Sequence, residues 1–178
     1  MPRRDIKIVD SLGRGAFAEV FKVELRGDSG FIKKAALKKS LQALSPAEQA
    51  TFEQEAKLLA SFRHPNIVDV FDYWIEDSKP CILEEYVSGL GLNQFYSEKN
   101  VMQPFEASEV CELLKQGLRG LKYLHEQIDE DKQKKVIHLD ISPHNIKIEN
   151  SGNLKILDFG CGSGGWAIPL AKSLQPIA

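Results

Sequence analysis

The sequence predicts an α+β organisation: an antiparallel meander of three strands, one helix and two further strands, then a mainly helical pattern beyond a linker at residues 88–91. Three observations predict it. The first forty residues alternate apolar and polar positions and are broken by glycine turns, as strands are. Ser45-Pro46-Ala47-Glu48 announces a single capped helix. Far downstream, Val110, Leu113, Leu114, Leu118, Leu121 and Leu124 recur at period 3.6 and predict a long amphipathic helix over residues 105–127.

In chain order, Ile6, Ile8 and Leu12 alternate with polar neighbours before Gly13 and Gly15 interrupt. Val20, Phe21, Val23 and Leu25 make a second strand, which ends in the turn Arg26-Gly27-Asp28-Ser29-Gly30. Residues 31–39 make a third, with Lys33, Lys34, Lys38 and Lys39 around Ala35-Ala36-Leu37. The capped helix runs to about Phe62 with Phe52, Ala56 and Leu59 on one face, and His64-Pro65-Asn66 ends it. Residues 67–74 and 80–86 follow as strands. Ser88-Gly89-Leu90-Gly91 reads as a hinge-like linker. Beyond the long helix, residues 126–135 are a charged, solvated extension. Short strand-like runs follow at 136–139, 145–148 and 154–157, the last two separated by a Ser151-Gly152-Asn153 turn.

Composition narrows the function. The chain has 178 residues, 43% hydrophobic and 27% charged, which is globular. A formal net charge of -2 gives no basic footprint for nucleic acid. No apolar run approaches a membrane span, and no apolar core of a signal peptide follows the first residues. Cys81, Cys111 and Cys161, an odd count at wide spacings, fit reduced thiols and a cytoplasmic setting.

Three constellations carry chemistry. Gly13-Arg14-Gly15-Ala16-Phe17-Ala18 lies between two strands, where glycine lets backbone N–H groups approach phosphates; an ordinary turn has the same look. Lys38 after Ala36-Leu37 is a point charge for phosphate oxygens or an exposed strand lysine. Glu55 is its partner or part of a solvated helix face. His138-Leu139-Asp140-Ile141-Ser142-Pro143-His144-Asn145 puts a proton acceptor and a metal-binding amide five residues apart. Lys155-Ile156-Leu157-Asp158-Phe159-Gly160 sets a carboxylate just after an apolar strand.

The order of these motifs resembles that of the protein kinase family over residues 6–160: glycine loop, Ala-x-Lys, helical Glu, His-Pro-Asn, H-x-D-x-x-x-x-N and Asp-Phe-Gly. The resemblance implies an α+β, protein kinase-like fold: a small lobe of a five-stranded antiparallel sheet plus one helix at 1–87, and a partial, mainly helical lobe at 88–178. It implies ATP and Mg²⁺ as cofactors and a protein Ser/Thr hydroxyl as acceptor. By resemblance, Leu12, Gly13, Gly15, Val20 and Ala36 surround the nucleotide, and Lys38 meets its phosphates and pairs with Glu55. Glu85-Tyr86-Val87 bonds the adenine, Asp140 is the base, and Asn145 and Asp158 hold the metal.

The sequence also departs from the family. Leu139 stands where most members have Arg, Ser142 replaces the usual Lys, and Glu84 occupies the gatekeeper position. An activation segment, an Ala-Pro-Glu-like anchor and further helices do not follow Gly160 in this sequence. These departures carry the alternative expectation of a nucleotide-binding pseudokinase or inactive fragment. A small-molecule phosphotransferase shares the H-x-D-x-x-x-x-N run, but the glycine loop and His64-Pro65-Asn66 favour the protein kinase side. The run from Leu154 to Trp166 also resembles the first motif of S-adenosylmethionine-dependent methyltransferases, with a first helix at Ala167–Leu174.

Overall fold

The computed structural model describes residues 5–15, 18–27, 29–95, 105–129, 134–135 and 141–157. They form two compact units: residues 5–61 with 70–86, and residues 62–69 with 87–157.

The first unit is an antiparallel sheet with one helix. Its strands are β1 (Asp5–Arg14), β2 (Ala18–Arg26), β3 (Ile32–Ser40), β4 (Val70–Glu76) and β5 (Lys79–Glu85), in the order β1-β2-β3-β5-β4. Helix α1 (Pro46–Ser61) follows β3. The capping box read from the sequence is present: the Ser45 N–H donates to Glu48 Oε2 at 2.8 Å and the Glu48 N–H to Ser45 Oγ at 3.4 Å. The Ser45 hydroxyl, donating to Glu48 Oε2 at 2.7 Å, and then the Ser45 N–H hold the Glu48 carboxyl below its ordinary range.

Strand alternation separates two cores. Val23, Leu25, Ala35, Leu37, Cys81 and Leu83 pack on one face. On the other, Ile82 and Val70 pack with Leu44, Phe52 and Ala56, so this is the face that α1 covers. The β4–β5 hairpin turns through Asp77 (φ 52°) and Ser78 (φ 60°), both left-handed, as a two-residue hairpin requires. The Ser78 carbonyl accepts the Leu44 N–H at 2.7 Å, tying the turn to the entry of α1.

The second unit contains β6 (Gly89–Gly91), the short helix α2 (Leu92–Phe95), α3 (Ala107–Glu126), β7 (Ile128–Asp129), β8 (Lys134–Lys135), a 3-10 turn (Pro143–Asn145), β9 (Ile146–Glu149) and β10 (Leu154–Ile156). Strands β10, β9 and β6 pair antiparallel in that order. Leu124 of α3 and Ile67, Ile148, Leu154 and Ile156 are buried. No helix among the described residues is long and apolar enough to cross a membrane.

Several elements differ from expectation. The hinge-like run at 88–91 contains a strand, because Gly89 (φ 147°) lets the backbone close on Ile148. The charged run after α3 contains the β7–β8 pair. Residues 67–69 stand outside β4. Asn66 turns the chain so that Ile67 forms a parallel bridge to Ile156 and the Val68 N–H reaches the Ile156 carbonyl at 3.0 Å. The apolar stripe of α3 is split: Leu124 is buried, while Leu114 and Leu118 are 61% and 64% exposed. The expected strand at 136–139 lies outside the described residues.

Candidate functional site

In the first unit, register decides which lysine could serve a phosphate. Lys38 lies opposite Val20 of β2 and Ile82 of β5, and cross-strand partners share a face. Ile82 belongs to the α1-covered face, so Lys38, Val20 and Ala36 share that face, with Lys38 half-buried and Ala36 buried. Lys33 and Lys39 point to the other face. There Lys33 sits 3.6 Å over the Phe71 ring and Lys39 donates to Glu76 at 2.6 Å. Lys34 shares the Lys38 face but is exposed, opposite Glu24.

Glu55 lies within α1, and its side chain is outside the described set. Glu84 is half-buried opposite Ala36, on the Lys38 face. Glu85 ends β5 opposite Ala35.

Leu12 and Gly13 lie at the end of β1, with Gly13 opposite Val20 and Leu12 exposed. The Gly15 N–H donates to the Ala18 carbonyl at 2.9 Å. A Cβ at Gly13 would meet nothing within 4 Å, and one at Gly15 would make ordinary contact with Ala18 at 3.7 Å. Packing among the described residues therefore does not demand glycine at either position.

In the second unit, Ser142 and Pro143 lead into the 3-10 turn that ends at buried Asn145. The Asn145 N–H donates to the Ser142 carbonyl at 3.0 Å, and the Asn145 carbonyl accepts the Leu157 N–H at 2.8 Å. The residue before Asp158 is thus bonded to Asn145 itself. An amide oxygen on Asn145 and a carboxylate at Asp158 are hard donors, the chemistry that Mg²⁺ takes, so the residues fit that ion. Val87 is buried, and its carbonyl accepts from Lys147 Nζ at 3.0 Å. Asp140 and Asp158 lie outside the described residues. Among the described residues no group of His, Cys, Asp or Glu forms a metal cluster.

The sequence reading took His64-Pro65-Asn66 as a helix stop and a motif; the structure gives its side chains partners. The His64 Nδ1 accepts the Asn66 N–H at 3.1 Å, and its ring lies 5.1 Å from the Tyr123 ring. Burial, and then the Lys155 charge, hold its pKa below the ordinary value. Asn66 Nδ2 donates to the Leu154 carbonyl at 2.9 Å and to Gln116 Oε1 at 3.2 Å. Gln116 was missed, because one glutamine within a helix carries no local signal of what it faces.

The family model for the protein kinase domain matches residues 6–164. This chain belongs to the protein kinase family. It is 36% identical over 109 residues to the serine/threonine-protein kinase PrkC of Bacillus subtilis, covering 61% of this chain and 15% of that protein. It is 33% identical over 159 residues to the tyrosine-protein kinase MasK of Myxococcus xanthus, covering 86% of this chain and 24% of that protein. The chain therefore spans about a quarter or less of the length of these relatives.

A solved structure described as PpkA-294 in its apo form superposes with a TM-score of 0.67 at 23% identity, covering 90% of this chain and 60% of that one. The fold is protein kinase-like, with a five-stranded antiparallel small-lobe sheet. The methyltransferase-like motif begins on β10, which pairs antiparallel with β9, whereas a nucleoside-binding βαβ unit needs a parallel sheet. The glycine turn and first helix of that motif lie outside the described residues.

Proposed function

We propose that this chain carries out, as part of its protein, transfer of the γ-phosphoryl group of ATP to a protein Ser/Thr hydroxyl. One observation carries the reading: of the four lysines on β3, Lys38 alone is half-buried on the α1-covered face, beside Val20 and Ala36. A family whose members bind nucleotide through a lysine at this point of the motif order supplies the rest.

The roles follow from the motifs. Lys38 holds α- and β-phosphate oxygens and pairs with Glu55. Leu12, Gly13, Gly15, Val20 and Ala36 enclose the nucleotide, and the backbone of Glu85 and Val87 bonds the adenine. Asn145 and Asp158 would hold Mg²⁺, which when bound neutralises phosphate charge. Asp140 accepts the proton of the substrate hydroxyl as its oxygen forms the new P–O bond and the bond to the β-phosphate oxygen breaks. Pro143 and the likeness to PrkC support Ser/Thr as acceptor; the likeness to MasK makes Tyr the outcome to test against.

A second reading, a nucleotide-binding pseudokinase, draws on Leu139, Ser142 and a gatekeeper Glu84 on the Lys38 face. Ser142 supplies no cation near the transferred group, which lowers rate rather than binding.

The test pairs binding with turnover. ATP with Mg²⁺ should raise the melting temperature, by about 2.7 kcal/mol of stabilisation at 100 times the dissociation constant. The shift should need the metal and fall in Asp158→Ala, and S-adenosylmethionine should give none. Transfer of labelled phosphate to Ser/Thr of a protein acceptor should drop by orders of magnitude in Asp140→Asn while ATP still binds. Binding without any wild-type turnover would favour the pseudokinase. A metal-independent shift with S-adenosylmethionine alone would overturn both readings.

A further inference from the structure

The geometry points to Gln116 as a positioning residue that fixes β10, and through it the hydrogen bond from the Leu157 N–H to the Asn145 carbonyl. The proposal rests on the phosphoryl-transfer reading, since it assigns Gln116 a part in holding Asn145, which that reading gives to the metal.

The Leu154 N–H donates to Gln116 Oε1 at 2.7 Å, and Asn66 Nδ2 donates to the same oxygen at 3.2 Å. Both partners are donors, so the network itself identifies this atom as the amide oxygen. Asn66 Nδ2 also donates to the Leu154 carbonyl at 2.9 Å. Both main-chain polar groups of the first residue of β10 are therefore claimed by side chains. One residue further on, the Ile156 N–H donates to the Asn66 carbonyl at 2.9 Å, and the Ile156 carbonyl accepts the Val68 N–H at 3.0 Å.

One edge of β10 thus runs along Asn66–Val68 with Gln116 as its clamp, and the other pairs with β9. At the end of this strand the Leu157 N–H reaches the Asn145 carbonyl at 2.8 Å. A strand of period two held at its first residue passes any slip directly to its last. Loss of the Gln116 oxygen leaves the Leu154 N–H to find another acceptor and loosens the end that meets Asn145. Outer partners of this kind set metal affinity without touching the metal.

The experiment uses the whole chain and titrates Mg²⁺ at fixed non-hydrolysable ATP analogue, reading the metal concentration at half of the full melting shift. Gln116→Leu removes the acceptor, and Gln116→Glu keeps one for the same two donors. The expected result is a rise of roughly tenfold in the Mg²⁺ midpoint for Gln116→Leu, with Gln116→Glu within about twofold of wild type. If Gln116→Leu does not fold, Gln116→Asn, which retracts the acceptor by one methylene, is read for the same midpoint. A lowered melting temperature with an unmoved midpoint would make Gln116 structural only and overturn the proposal. So would failure of Gln116→Glu to restore the midpoint. If wild type shows no response to Mg²⁺ and nucleotide, the phosphoryl-transfer reading falls first and this proposal with it.

Discussion

The Lys39 ammonium donates to the Glu76 carboxylate at 2.6 Å, on the face of β3 opposite Lys38. Strand alternation alone thereby puts two adjacent lysines on opposite faces of the sheet. The hydrogen bond that Lys39 donates to Glu76 is the main cause that raises the Lys39 pKa above its ordinary value. The stabilisation is therefore present below that ordinary value and lost as pH rises through the raised one. Both side chains are more than a third exposed, so the pair contributes at most about 1 kcal/mol.

The first prediction follows from that sidedness. Lys38→Met should abolish the melting shift given by Mg²⁺ and ATP. Lys34→Met and Lys39→Met should keep it, the latter with a slightly lower unliganded melting temperature. Equal loss of the shift in all three variants would remove the basis for choosing Lys38.

His64 gives a pH prediction. Its Nδ1 accepts the Asn66 N–H, which a protonated ring cannot do, and burial lowers its pKa. A depressed folded-state value means that its contribution is present above about pH 6.5 and lost as pH falls through the folded value. His64→Asn keeps an acceptor near Nδ1 but does not titrate. Between pH 7.5 and 5.5 wild type should lose roughly 1–2 °C more of its melting temperature than the variant, a small effect because the ring is only half-buried. Parallel pH profiles would show that His64 is not the responsible group.

Gly89 and Gly30 both have positive φ but differ in surroundings. A Cβ on Gly89 (φ 147°) would lie 2.0 Å from the Ile148 carbonyl oxygen, while one on Gly30 (φ 77°) would meet nothing within 4 Å. Gly30→Ala should cost about 1 kcal/mol, the left-handed penalty alone. Gly89→Ala should cost more than about 2 kcal/mol, because β6 must leave β9 to admit it. Urea unfolding of the two variants, compared at constant slope, reads the difference.

Two glycines inside α3 separate propensity from packing. At Gly117 a Cβ would touch only Leu154 methyls at 3.9 Å, so Gly117→Ala should stabilise by about 0.5–1 kcal/mol. At Gly120 the Cβ would meet Ile156 Cδ1 at 3.1 Å and the Asn66 Cβ and carbonyl oxygen at 3.4 Å. That carbonyl is held by the Ile156 N–H and has little room to retreat. Gly120→Ala should therefore melt below wild type. A gain at Gly120 equal to that at Gly117 would mean that α3 stands further from β10.

What the sequence made legible was local. Ser45 and Glu48 announced α1 because a capping box is written within four residues, and alternation broken by glycine turns announced the first three strands. What it hid was set by distant partners. Nothing near Ser88 told of β9, some sixty residues away in the chain. The stripe of α3 read as one broad face, although Leu124 lies about 80° round the helix from Leu114, and spacing does not show which edge of such a stripe is covered. The same limit held for single residues: Lys38 was singled out from Ala36 and motif order, whereas the acceptor role of Gln116 exists only once Leu154 and Asn66 converge on it.

The exposed part of that stripe gives the last prediction. Val110, Leu114 and Leu118 are 41%, 61% and 64% exposed and follow one another at four-residue steps, so they form a continuous apolar strip along α3. Glu112, Lys115, Arg119, Lys122 and Glu126 pair with one another along an adjoining charged face. An apolar strip of this kind promotes association in water. Leu114→Glu with Leu118→Lys replaces it by an i,i+4 pair in the favourable order, worth a few tenths of a kcal/mol to the helix. The double variant should be less associated by light scattering and should melt within about 0.5 kcal/mol of wild type. Leu124→Ala, at a fully buried position of the same helix, should instead lose about 2–5 kcal/mol. If the double variant unfolds as readily as Leu124→Ala, the strip is a buried surface in solution, covered by residues beyond those described.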